Sequence, residues 1–256
     1  MKQLKIMLFA IFLFLAMGGC APTNPDKMNT VVLTVSAASS LQNVLEELAV
    51  EFQKKHSYID IQYNFGASGA LVKQIEQGAP ADVIISASTE QFNKLNMAGL
   101  IQEGTTLISN ELVLITGNNG SVSLQKIEDL KSNRVEKISI GAPSIVPAGS
   151  YAKQALEHLD LWTELESKFV YAKDVRQVLT YVESGNVQAG FVYHTDAIGS
   201  DKVKIISTIN EEILDSISYP IGIVNHAGSP TEAKKFYEFL QSEEIKDIWV
   251  KYGFTY

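Results

Sequence analysis

Apolar residues along this chain fall into two rhythms, short continuous runs and stripes at i, i+3, i+4, separated by loops rich in Ser, Gly and Asp. Residues 31–35 form a buried-strand run that passes through a hydroxyl-rich loop, 36–40, into a helix. One face of that helix carries Leu41, Val44, Leu45, Leu48, Ala49 and Phe52. Ser39 or Ser40 stands where an N-cap belongs. Residues 59–65 alternate as a strand and lead through Gly66-Ala67-Ser68-Gly69 into a short helix over 70–77. Residues 81–87 are apolar throughout, as in a parallel strand covered on both faces, and a helix with Phe92, Leu95 and Met97 follows.

A second set then begins. It comprises a strand at 111–116, a helix near 127–131, a strand at 137–141 and the loop 142–149 before a long amphipathic helix. A strand at 169–172 follows, then a helix over 175–183 behind Asp174 as N-cap, a strand at 189–193, a helical turn at 194–198, and strands at 203–206 and 216–224. Ser229-Pro230-Thr231-Glu232 reads as a capping box, and a last helix over 242–252 ends at Gly253. Strand–helix alternation of this kind predicts an α/β fold of mostly parallel sheets flanked by helices. The segments divide into one lobe at 31–112 plus 219–256 and another at 113–218. Strands 111–116 and 216–224 serve as crossovers, forming a hinge around a ligand cleft.

The first 30 residues change the picture. Lys2 and Lys5 precede an apolar run to Met17 and then Gly18-Gly19-Cys20, which describes a signal segment over 1–19, too short to span a bilayer comfortably. Cys20 is the only cysteine, so no intramolecular disulfide can form. Residues 20–30 are polar and Pro-containing, as suits a tether. The net charge of −8 moves to about −10 once Lys2 and Lys5 are removed, which disfavours nucleic acid. An anion site in such a chain has to work through local dipoles, against the overall field.

Four loops supply such dipoles. Ser39-Ser40, Ala67-Ser68-Gly69, Pro147-Ala148-Gly149-Ser150 and Asp174-Val175 each precede a helix and are rich in hydroxyl and backbone donors. Loops at the carboxyl ends of parallel strands line the ligand crevice, and helix N-termini seat anions. A Ser/His hydrolase is the competing class. His194 is the only histidine near this crevice and would have to act with Ser40 or Ser68, but no nucleophile-elbow pattern accompanies it. The four histidines show no metal-ligand spacing.

The segments ASSLQNVLEELAVEFQ, FGASGALVKQIEQGAPADVIISAS, VPAGSYAKQALEHLDLW, KDVRQVLTYVESGNVQAGFVYHTDA and YPIGIV occur in that order over nearly all of the chain after residue 30. Together they resemble the molybdate-binding protein of the molybdate ABC importer. The resemblance implies a two-lobed, type II periplasmic-binding-protein fold that is not an enzyme and has no cofactor or separate cation site. It places the tetrahedral anion on the hydroxyls of Ser40, Ser68 and Tyr193 and the backbone N–H groups of Ala148 and Val175. Gly69 stands where the family often has a further hydroxyl. The Gly-Gly-Cys sequence resembles a lipobox, which implies lipid on Cys20 and an exported monomer held at the outer face of the cell membrane, the periplasmic side in a Gram-negative cell. An importer permease and its ATPase are the implied partners, and tungstate is expected to share the site. Another tetrahedral oxyanion, tungstate alone or sulfate, is the alternative ligand, and a sensor without transport would have the same cleft. Asp174 and Asp82 read as structural residues, and Lys73 and Arg176 as solvated. With no His or carboxylate asked to titrate, affinity is expected to be flat between about pH 6 and 8.

Overall fold

Two five-stranded sheets hold the apolar runs. A computed structural model describes residues 30–256 apart from 121, 211 and 215, so the signal segment, Cys20 and nearly all of the tether lie outside the described residues. The first sheet has the order β2 (Ile59–Gly66), β1 (Val31–Ala38), β3 (Val83–Ile85), β10 (Ile217–Val224), β4 (Ile101–Asn110). The second has the order β7 (Phe169–Ala172), β6 (Ile138–Gly141), β8 (Ala189–Tyr193), β5 (Leu112–Gly117), β9 (Val203–Thr208). In each sheet four strands run in one direction, and the fifth, β10 or β5, runs antiparallel between two of them. The chain passes from the first sheet to the second at Glu111 and returns over residues 209–216.

The helices follow the strands as α1 (Gln42–Lys55), α2 (Ser68–Glu76), α3 (Thr89–Met97), α4 (Pro147–His158), α5 (Trp162–Leu165), α6 (Val175–Glu183), α7 (His194–Ile198), α8 (Pro230–Leu240) and α9 (Lys246–Lys251). The apolar stripe of α1 is buried at Val44, Leu45, Leu48 and Phe52, against a core that includes Leu33, Val35 and Ala37 of β1. Each such Leu or Phe contributes about 1.5–3 kcal/mol when fully withdrawn from water. A smaller cluster, Leu71, Val72, Ile75, Ile84, Phe92 and Leu95, seals α2 and α3 against the other face of the first sheet.

Register is what gathers the loops. β1 and β2 pair in step from Val31 with Ile59 to Ala38 with Gly66, so both strands end side by side. Ala37 also pairs with Ile85, which brings the end of β3 to the same edge. In the second sheet Gly141 pairs with Ala172, so the loops leading to α4 and α6 start together.

Several elements differ from expectation. β4 was not anticipated as a strand. Its first six residues, IQEGTT, are almost wholly exposed on a sheet edge and show no two-residue alternation of apolar side chains. The helix expected near 127–131 is a 3-10 turn, and the last helix is split into a 3-10 turn, Glu243–Ile245, and α9. The capping box at Ser229 does not form. Its hydroxyl donates to the Val32 carbonyl at 3.2 Å and its N–H to Asp82 at 3.0 Å, so tertiary partners outcompete the local cap. Asp82 also accepts from Thr34 N–H at 2.7 Å and thereby clamps β1 to the segment before α8, a structural role as expected.

Candidate functional site

The loops after β1, β2, β6 and β7, together with the end of β8, surround one narrow cavity between the sheets. It measures about 10 Å³, room for the centre of one water-sized sphere, and Ser40, Ser68, Ala148, Val175 and Tyr193 all line it. The remaining lining is Ala38, Ser39, Gly66, Ala67, Ala87, Val146 and Pro147, so no charged side chain faces the space. Hydrogen bonds that join the lobes include three near its rim. Gly69 N–H donates to the Ile145 carbonyl at 3.0 Å, Arg176 to Asn43 Oδ1 at 3.0 Å, and the Tyr151 hydroxyl to the Ala87 carbonyl at 3.4 Å. Arg176, expected to be solvated, is therefore a strut between lobes.

Helix starts supply the donors. Ser68 and Val175 are the first residues of α2 and α6, and an N–H at that position has no acceptor within its own helix. α4 begins with Pro147, which has no N–H, so Ala148 brings the first donor of that helix to the cavity. Gly149 lets this happen. A Cβ there would collide with the Gly141 carbonyl, so the first turn of α4 lies backbone to backbone on the end of β6. Asp174 caps α6 by accepting from Gln177 N–H on Oδ1 at 2.8 Å, as expected.

Neither serine is an N-cap, which corrects the expectation at Ser39 or Ser40. Residues Ser39–Leu41 form a 3-10 turn ahead of α1, and no side chain caps either element. The Ser40 hydroxyl instead meets the Tyr219 hydroxyl at 3.0 Å. Ser68 Oγ accepts from Ala87 N–H at 2.9 Å, which ties α2 to the segment after β3 and leaves the hydroxyl hydrogen of Ser68 unassigned.

Tyr193, at the end of β8, is 1 % exposed, and its hydroxyl has no hydrogen-bond partner among the described residues. Buried polar groups are nearly always paired, so an unpaired phenol in a cavity wall leaves a hydrogen-bonding group open to the cavity. Burial holds the phenols of Tyr193 and Tyr219 well above the ordinary range, so both remain protonated donors at neutral pH. The two phenol rings meet edge-on at 5.7 Å, and Phe254 buttresses Tyr219 edge-on at the same distance.

Sequence reasoning missed three residues next to this site. Tyr219 and Asn110, both buried, reach Ser40 through hydrogen bonds; Tyr219 lies in the quoted YPIGIV segment, but nothing local marks its hydroxyl as inward. Asp196, in the first turn of α7, is 7 % exposed, and one of its carboxylate oxygens has no partner among the described residues. Burial pushes its carboxyl up to about 7, partly offset by the nearby Arg176 guanidinium. Asp196 does not line the cavity, but it is a titratable carboxyl beside it that the expectation of a flat pH response did not take into account. The hydrolase residues do not assemble, because Ser40 and Ser68 are bonded to Tyr219 and Ala87 while His194 lies against the C-terminal segment at Gly253.

Two α/β lobes of this topology around a cavity lined by uncharged groups have the architecture of a binding protein for a small ligand. The chain matches the bacterial extracellular solute-binding protein family over residues 33–255, and it belongs to that family. It is 45 % identical to a Bacillus subtilis (strain 168) relative provisionally named as the ABC transporter substrate-binding lipoprotein YvgL, over 99 % of this chain and 98 % of that one. It is 36 % identical to the molybdate-binding protein ModA of Escherichia coli (strain K12), over 87 % of this chain and 88 % of the relative. The solved structure of the periplasmic molybdate-binding protein of Azotobacter vinelandii superposes with a TM-score of 0.79 at 27 % identity, covering 88 % of this chain and 99 % of that one. The type II periplasmic-binding-protein fold follows.

Proposed function

We propose that this protein captures molybdate, and tungstate as a second ligand, on Ser40, Ser68, Ala148, Val175 and Tyr193, and delivers it to the permease and ATPase of an ABC importer. In this reading residues 31–112 plus 219–256 and residues 113–218 are lobes that hinge around the anion. Cys20 carries the lipid that holds an exported monomer at the outer face of the cell membrane. The observation that carries the proposal is the buried, unpaired Tyr193 hydroxyl in a cavity wall made only of neutral donors and apolar groups. Relatives named for molybdate support the choice of ligand.

Such a site suits an anion that brings no proton. Phosphate keeps one at neutral pH and would need an acceptor that a donor-only ring does not offer. Sulfate is fully ionised but has shorter bonds to oxygen than molybdate or tungstate, so a rigid ring of donors set for the larger anions holds it poorly. Coordination expanded by carboxylates, as a tungstate-dedicated site would use, lacks an acid in the wall; Asp174 is committed to its helix.

Thermal unfolding with each anion at equal concentration tests the reading. A ligand bound only by the folded state adds about 4 kcal/mol at a thousandfold excess over its dissociation constant. Molybdate and tungstate should raise the midpoint, and sulfate and phosphate should not. An equal sulfate shift would overturn the ligand, and no shift with any anion would overturn the function.

A further inference from the structure

We propose that Tyr219 and Asn110 are positioning residues that orient the Ser40 hydroxyl, so that Ser40 gives its hydrogen to the bound anion. The inference rests on the anion site proposed above and adds how one of its donors is aimed. It starts from a group whose direction is fixed. Asn110 Oδ1 accepts from Glu111 N–H at 2.9 Å, and a backbone N–H can only donate, so this branch of the amide is the carbonyl and the other is the amino group. Its two hydrogens go to Thr195 Oγ1 at 2.9 Å and Tyr219 Oη at 3.3 Å.

Tyr219 therefore receives one hydrogen and has one of its own to give. It is fully buried, so water does not take that hydrogen, and the Ser40 hydroxyl at 3.0 Å is positioned to accept it. The reverse assignment, with Ser40 donating, would give Tyr219 two incoming hydrogens and strand its own in the interior, the arrangement that buried polar groups avoid. The neighbouring Tyr193 hydroxyl does not relieve this, as it has no hydrogen-bond partner among the described residues. With its acceptor role filled by Tyr219, Ser40 is left with its hydroxyl hydrogen free, and Ser40 lines the cavity.

Ser68 reaches the same state by a shorter route, accepting from Ala87 N–H. Both cavity serines are thus bonded from behind by a donor, which leaves each a donor toward the anion. The relay behind Ser40 also spans the molecule. Asn110 ends β4 beside the crossing at Glu111, Thr195 belongs to α7 of the second lobe, and Tyr219 sits in β10. Aligned hydrogen bonds polarise one another, so a chain from amide to phenol to serine makes the last donor stronger as well as directed.

A double-mutant cycle on the full-length protein, read by calorimetric titration with sodium molybdate, tests the relay. Tyr219→Phe removes one oxygen and keeps the ring contacts, and Asn110→Ala removes the group that sets the direction. Each should weaken molybdate binding roughly three- to tenfold in the wild-type background and less than twofold in a Ser40→Ala background. Melting of each ligand-free variant reports whether it folds, and the two substitutions stand in for one another if one does not. A residue that merely supports the fold would cost the same in both backgrounds, and that result, or no loss in the single variants, would overturn the relay alone. If Ser40→Ala itself leaves molybdate affinity unchanged, the anion site falls and the relay with it.

Discussion

The Tyr193 hydroxyl combines two properties that seldom coexist, since it is buried and has no partner among the described residues. Leaving such a group unsatisfied costs about 1–3 kcal/mol in the ligand-free protein, whereas a hydrogen bond to a charged ligand contributes about 1.5–3 kcal/mol. Tyr193→Phe should therefore separate stability from function. The variant should melt at or above the wild-type temperature without ligand, yet bind molybdate about tenfold or more weakly. A variant that binds as tightly as wild type would remove the phenol from the site. Ser40 and Ser68 differ from Tyr193 because each is already held from behind, by Tyr219 and by Ala87 N–H, so losing either hydroxyl also frees a buried donor. For Ser40→Ala and Ser68→Ala, lost affinity should accompany lost stability.

At the scale of elements, the site is a meeting of helix starts, and α7 adds a pH response to it. Asp196 lies in the first turn of α7, and its carboxyl is raised from its ordinary value near 4 to about 7 by burial. Between those limits the folded state holds a proton that the unfolded chain has lost, so stability falls as pH rises from about 4 through about 7. Glu47 and Asp129 work in the opposite sense. The Lys251 hydrogen bond to Glu47 and the Gln125 N–H to Asp129 hold these carboxyls low, and their contribution is lost only as pH falls below the ordinary carboxylate range. Melting curves from pH 5 to 8 should show a declining midpoint, and Asp196→Asn should flatten it; an unchanged slope in that variant would assign the effect elsewhere. This element also shows what a sequence can disclose. The stripe of α6 and its Asp174 cap are local facts and were legible. So were the four loops, because strand, loop and helix follow one another in the chain. Ser40 and Tyr219, and Asn110 with Thr195 and Tyr219, meet across long stretches of sequence, and β4 is an edge strand whose exposed half carries no alternation, so neither the relay nor that strand had a local signature.

Taken whole, the molecule is two lobes joined at Glu111 and across residues 209–216 and drawn together at Asn43 with Arg176, at Ala87 with Tyr151, and at Gly69 with Ile145. The last of these differs in kind. A Cβ on Gly69 would lie 2.7 Å from the Ile145 carbonyl oxygen and 2.9 Å from its Cα, so the lobes touch there backbone to backbone. Gly69→Ala has to hold them apart, at a cost of about 1–3 kcal/mol for an overfilled contact. Differences between related complexes fall mostly on dissociation, so stopped-flow kinetics should show molybdate leaving roughly tenfold faster from this variant while arriving at much the same rate. Equal dissociation rates would show that the lobes part elsewhere. The hydroxyl that Gly69 forgoes would have been one more hand on the cargo; if the variant behaves as predicted, the missing Cβ instead sets how long the cargo stays aboard. A carrier must both hold through its journey and let go at the dock, and at Gly69 that timing rests on a side chain the residue does not have.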